Sequence, residues 1–104
     1  MTNKEFQKHF ENRVTMSRET LIEKAKEYAS KIDRMHNFVR AGAILDCSRE
    51  EACLSFAVKH FVSIQDMVKS GQPFSEITIE EKLGDMINYM ILLEAMLLEN
   101  SIKS

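Results

Sequence analysis

The chain has 104 residues, 14 Lys and Arg against 16 Asp and Glu, with 44% hydrophobic and 29% charged residues, the composition of a folded domain rather than a disordered chain. One domain spanning 1–104 is expected. A formal charge of −2 and an isoelectric point near 5.9 give no long-range field to gather phosphate backbones, which argues against duplex nucleic acid as a partner. The opening MTNKEFQKHFENR is charged throughout and holds no signal-peptide core. The longest apolar run, Met86 to Leu98, is interrupted by Asn88 and Glu94 and falls short of the about 20 residues a bilayer requires. A cytoplasmic protein without membrane contact is expected. Cys47 and Cys53 lack CxxC or Cys/His spacing and read as small buried or half-buried thiols.

One Pro and three Gly among many Leu, Met, Ala, Glu and Lys predict an all-α fold. Thr2-x-x-Glu5, Ser48-x-x-Glu51 and Thr78-x-x-Glu81 have capping-box spacing, and Ser17 is a fourth candidate cap. About five helices follow, near 3–12, 17–31, 35–45, 48–69 and 78–100, with Asp33 capping the third. The stretch Ser70-Gly71-Gln72-Pro73-Phe74-Ser75-Glu76-Ile77 is the one true loop. It is short enough to lay the two long core helices side by side and antiparallel, each about 33 Å long at 1.5 Å per residue. On the first of the pair Leu54, Ala57, Val58, Phe61, Ile64 and Val68 supply an apolar face; on the second, Met86, Ile87, Met90, Ile91, Leu92, Leu93, Met96, Leu97 and Leu98 cover more than one side. A helix apolar nearly all round has to be covered on several sides, so a homo-oligomer is expected.

Polar residues that interrupt these apolar helices carry the chemical information, because burying an unpaired polar group costs about 1–3 kcal/mol. Lys59, Ser63 and Asp66 share one face at i, i+4 and i+7, with His60 beside them. Glu81, Asp85 and Asn88 repeat the spacing, flanked by Lys82 and Tyr89. Antiparallel pairing sets Asp66 near Glu81, Ser63 near Asp85, and Lys59 near Asn88 or Tyr89. Asp66, Glu81 and Asp85 are then candidate ligands for Mg²⁺, a cation bound by one or two carboxylates together with substrate phosphates. Lys59, His60, Ser63, Asn88 and Tyr89 are candidate nucleotide contacts. A structural reading stands beside this one: Glu81 closes a capping box with Thr78, and the charges form an interhelical network that fixes register.

A second patch joins Lys24, Lys26 and Tyr28 to Arg34, His36 and Asn37. Phe38, Val39 and Ile44 bury the inner face of the short helix, which leaves Arg34, His36 and Asn37 without a structural task. Arg34 suits bidentate contact with a phosphate. The alternative for this patch is a solvated helix junction.

At KAKEYASKIDRMHNF (24–38), SREEACLSFAVKHFVSIQDMV (48–68) and EEKLGDMINYMILLEAML (80–97) the chain resembles small phage and prophage proteins of the nucleotide-modification-associated helical type. These are similar in turn to MazG-like and dUTPase-like all-α NTP pyrophosphatases. The resemblance implies a MazG-like helical bundle, oligomerisation and nucleotide binding at carboxylate-bearing helices. MazG-like enzymes hold Mg²⁺ with an ExxE on one core helix and an ExxD on the next. Here Asp85 stands at the Asp of ExxD, within Lys82-Leu83-Gly84-Asp85, but Lys82 occupies the Glu position, and the facing helix offers Lys59, Ser63 and Asp66. Binding survives that departure better than hydrolysis.

Three functional readings follow. The first is a phage-type protein that sequesters or processes a nucleotide or a nucleotide second messenger, including a host defence signal, in the host cytoplasm. The second is a metal-dependent NTP or dNTP pyrophosphohydrolase. The third is a helical protein that binds a host or phage protein.

Overall fold

The structure is a computed structural model and describes residues 1–28 and 33–103, the side chains of Glu27 and Tyr28 excepted. Helix α1 (Asn3–Arg18) opens on the expected capping box: the Thr2 hydroxyl accepts from the Glu5 amide at 3.1 Å, and the Glu5 carboxylate accepts from the Thr2 amide at 2.9 Å. No helix begins at Ser17. Nothing between 12 and 17 breaks the backbone, so α1 runs through this stretch, and Ser17 is buried within it. The chain continues without interruption through a π-helical segment, Glu19–Lys24, into one further α-helical turn, α2 (Ala25–Tyr28). The two helices expected at 3–12 and 17–31 are therefore one arm as far as Tyr28; residues 29–31 lie outside the described residues.

Asp33 does not cap the next helix directly. Its carboxylate accepts from the Met35 amide at 2.9 Å, an Asx turn that feeds α3 (His36–Leu45). That helix ends at Asp46, left-handed at φ 56°, a conformation Asp tolerates better than most residues. The corner is tight. A Cβ on Gly42 would lie 2.7 Å from the Cys47 carbonyl oxygen, so only glycine lets α3 approach the start of α4 this closely.

Helix α4 (Arg49–Ser70) is capped by Ser48, whose hydroxyl accepts from the Glu51 amide at 3.0 Å, and ends on left-handed Gly71. Helix α5 (Glu76–Glu99) starts earlier than expected. Ser75, not Thr78, is its N-cap, accepting from the Thr78 amide at 3.2 Å, so Glu81 lies a turn inside the helix and closes no capping box. The pair is antiparallel as expected. Arg49 at the start of α4 pairs with Glu99 at 2.9 Å and Asn100 donates to Glu50 at 2.8 Å, whereas His60, further along, faces Asp85.

The core lies where α3, α4 and α5 meet. Phe38, Cys53 and Met96 are its buried centre, with Met35, Phe56, Tyr89, Leu92 and Leu93 packed against them. The rings of Phe38, Phe56 and Tyr89 stand 6.1–6.5 Å apart, centroid to centroid, in tilted and edge contacts that aromatic pairs favour. Cys53 is buried and Cys47 half-buried, both free, and burial pushes the Cys53 thiol above its ordinary range.

Helix α1 is held to α5 by few contacts. Arg13 donates to the Glu80 carbonyl at 2.9 Å, crossing α5 over Gly84, where a Cβ would lie 2.5 Å from the guanidinium. Away from this crossing Phe6, Phe10 and Ile22 are exposed. The chain is also open for its size. Its radius of gyration is 15.8 Å, against about 13 Å for a compact domain of this length, and it exposes 8300 Å², where a compact 12.0 kDa monomer exposes about 6,000 Å². Among the described residues no helix is long and apolar enough to cross a membrane.

Candidate functional site

A cavity of about 540 Å³ opens between the π-helical segment, α3, α4 and α5, a size typical of small-ligand sites. Leu21, Phe38 and Leu92 give it an apolar floor, while Lys24, Arg34, Asn37, His60, Asp85, Asn88 and Tyr89 supply its polar wall. Each arrives for a local reason. A π-helical turn closes i→i+5 hydrogen bonds and so holds more residues than an α turn, a feature frequent at functional sites; here it brings Thr20, Leu21 and Lys24 to the rim. The Arg34 guanidinium donates to the Leu21 carbonyl at 3.1 Å, which ties the start of α3 to that segment. Asn37 follows one turn on, and α4 and α5 contribute His60 and the Asp85–Tyr89 turn.

His60 and Tyr89 form the planar side of the site, with ring centroids 5.2 Å apart and planes inclined by 30°. His60 Nδ1 lies 3.7 Å from Asp85 Oδ2, too long for a hydrogen bond but close enough for an ion pair when the imidazole is protonated. Burial, and then the Asp85 charge, push the Tyr89 phenol above its ordinary range, so it stays a neutral O–H donor at physiological pH. Asn88 Oδ1 is buried without a hydrogen-bond partner among the described residues. An acceptor in that state costs about 1–3 kcal/mol, and in a cavity wall it is satisfied by any ligand that brings an N–H or O–H.

The structure thus gathers Lys24, Arg34, Asn37, His60, Asn88 and Tyr89 from both sequence patches, together with Asp85. Others lie elsewhere. Lys26 is exposed and paired with Glu23 at 3.2 Å; His36 is exposed at the start of α3; Lys59 is exposed and Ser63 half-buried, neither of them in the cavity wall. The Tyr28 side chain lies outside the described residues. The proposed Mg²⁺ ligands are not assembled. Asp66 and Glu81 are exposed, Glu81 lining a smaller cleft beside the cavity with Arg13, Lys24 and Asp85, and among the described residues no group of three His, Cys, Asp or Glu side chains is placed to hold a metal ion. Asp66, Glu81 and Asp85 therefore do not form the single three-carboxylate site expected from the sequence.

The reason is rotation of α4. The inward row is Cys53, Phe56, Ala57, His60 and Ser63, so Lys59 and Asp66, about 100° away or more on the helix, look outward. Sequence reasoning missed Thr20 and Leu21, since a π-helical turn has no spacing signature, and assigned Asp85 to a metal rather than to His60. Comparison with known proteins gives no matching family model, no matching curated protein and no matching solved structure.

Proposed function

We propose that this chain is a nucleotide-binding protein whose ligand occupies the cavity between the π-helical segment, α3, α4 and α5. One observation carries the reading: residues singled out for their chemistry in separate stretches, Lys24, Arg34 and Asn37 from one patch and His60, Asn88 and Tyr89 from the other, line a single cavity. Their division of labour suits a nucleotide. Lys24 and Arg34 provide cations for phosphate, the His60–Tyr89 pair provides a planar surface for a base, and the unpaired Asn88 oxygen takes a donor from the base edge or sugar.

Sequestration is favoured over hydrolysis. Pyrophosphohydrolysis of the MazG-like kind needs carboxylates converging on a metal, and Asp66, Glu81 and Asp85 do not converge. A homo-oligomer belongs to the same reading, because the chain exposes about 2,300 Å² more than a compact monomer of its mass. Isothermal titration against NTPs, dNTPs and cyclic nucleotides, with EDTA or with Mn²⁺, tests the proposal. Expected is binding that persists in EDTA, weakens with salt and is lost in Arg34→Ala. Metal-dependent release of pyrophosphate would replace sequestration by catalysis, and the absence of nucleotide binding in every condition would overturn the reading.

A further inference from the structure

A second hollow, of about 550 Å³, runs between α5 and the arm formed by α1 and its π-helical continuation, within the size range of small-molecule sites. Its walls are apolar. Phe10, Val14 and Ile22 line it from the arm and Ile87, Ile91 and Ala95 from α5. Among them sits a polar group that the fold leaves unused. Ser17 lines the groove and is only 6% exposed, and its hydroxyl oxygen is buried without a hydrogen-bond partner among the described residues. A hydroxyl inside a helix ordinarily bonds back to the carbonyl four residues earlier, as Thr15 does to Glu11 at 3.0 Å and Ser55 to Glu51 at 2.9 Å. Ser17 does not, and a buried hydroxyl left in that state is a cost to the fold.

Charge names the rest of the occupant. Arg13, Arg18 and Arg34 line the groove and no Asp or Glu does, on a chain whose acids outnumber its Lys and Arg by 16 to 14. Arg13 and Arg34 are each anchored by a hydrogen bond, to the Glu80 and Leu21 carbonyls, which holds their guanidinium groups in place and leaves further N–H donors for an anion. A purely apolar ligand would leave Ser17 unsatisfied and three positive charges unmatched, whereas a small polar anion would leave the apolar walls wet. A molecule with an apolar chain and one anionic head answers both. Ser17, Arg13 and Arg18 belong neither to the core nor to the nucleotide cavity, so this site stands apart from the one proposed above, although Leu21, Arg34 and Leu92 line both.

We infer that the groove between α1 and α5 binds an anionic amphiphile, an alkyl or acyl chain ending in a carboxylate, with the chain along the apolar walls and the head on the Ser17 hydroxyl and the guanidinium groups. Fluorescence titration with a dansyl-labelled undecanoate, below its micelle-forming concentration, is expected to show one site per chain. Laurate should displace the probe at least about 10-fold more effectively than dodecanol, which has the same chain without the charge. Arg34 is left unchanged in the variants, because it also lines the nucleotide cavity. Val14→Glu, at an exposed position of the wall, should abolish probe binding with helical content unchanged. Ser17→Ala should melt no lower than the parent, since it removes an unpaired group, and bind laurate about 10-fold more weakly. Failure of the probe to bind the parent chain, or equal displacement by laurate and dodecanol, overturns the inference. Parent affinity retained in Val14→Glu places the probe elsewhere and overturns it too, and unchanged laurate affinity in Ser17→Ala overturns the seat of the head. A parent chain that ignores the probe but loses self-association in Val14→Glu gives the groove to a second copy instead.

Discussion

Replacing Asn88 by leucine sets stability against binding. The Asn88 oxygen is buried in the cavity wall with no hydrogen-bond partner among the described residues, and such an acceptor costs about 1–3 kcal/mol. Leucine branches at Cγ as asparagine does, its larger methyl groups can extend into the open cavity, and it removes the unpaired group. Asn88 is only half-buried and borders an open cavity, so the lower end of that range applies, a gain of about 1 kcal/mol. For a domain of this size that raises the melting temperature by about 4–8 °C. Binding moves the opposite way, because a ligand N–H or O–H desolvated against a leucine loses its partner, which weakens affinity by about 1–3 kcal/mol, roughly 5- to 150-fold. Calorimetric melting of the free variant and nucleotide titration of the same preparation read both effects. A variant that melts below the parent means Asn88 is satisfied in the native chain, and an unchanged dissociation constant means its oxygen does not meet the ligand; either result refutes the reasoning.

Two further predictions concern the frame of the fold. Gly42→Ala gains helix propensity worth up to about 1 kcal/mol, but its Cβ would stand 2.7 Å from the Cys47 carbonyl oxygen and 3.1 Å from the Ser48 backbone, neither of which is a flexible side-chain end. Strain wins, and denaturant unfolding is expected to show a net loss of about 1–2 kcal/mol; a stabilised variant would mean the α3–α4 corner is looser than described. At the far end of the hairpin the Arg49 hydrogen bond holds the Glu50 carboxyl below its ordinary value of 4.5. A lowered folded value means that Glu50 contributes stability above the ordinary carboxylate range, lost as pH falls through the folded value. Glu50→Gln is therefore less stable than the parent at neutral pH, and the difference shrinks in acid below about pH 4; a difference that persists there would trace the loss to packing or to the Asn100 contact instead.

The sequence made the axial register of α4 and α5 readable but not their rotation. The expected neighbours Ser63 with Asp85, and Lys59 with Asn88 or Tyr89, lie within about one and two turns, respectively, of the observed His60–Asp85 and Cys53–Tyr89 contacts, because a short loop between two capped helices fixes how far along they meet. Rotation depends on which apolar stripe faces inward, and α4 has two. Cys53, Phe56 and Ala57 form one, and Leu54, Val58 and Phe61 form the other with larger side chains. A hydrophobic pattern reports burial without saying whether the covering surface belongs to the same molecule. The expected face mixed the two stripes, Leu54, Val58, Phe61 and Val68 with Ala57 and Ile64, and Lys59 and Asp66 lie on the far side of the helix from either one, whereas His60 follows the inner stripe.

That ambiguity explains why the candidate site was half legible. Residues that reach the cavity from the start of α3 and from α5, namely Arg34, Asn37, Asn88 and Tyr89, stood out as polar groups whose association within each patch followed from spacing. Those of α4 depended on rotation and split, His60 inside and Lys59 out. The π-helical segment adds Thr20 and Leu21 through backbone geometry that no side-chain pattern encodes. The three-carboxylate set came apart because it required Asp66 to turn inward with Asp85, and Asp66 is exposed. With the small residues Cys53 and Ala57 facing inward, α4 approaches α3 and α5 closely enough to bury Phe38 and Met96, and its larger apolar side chains Leu54, Val58 and Phe61 stay about half exposed.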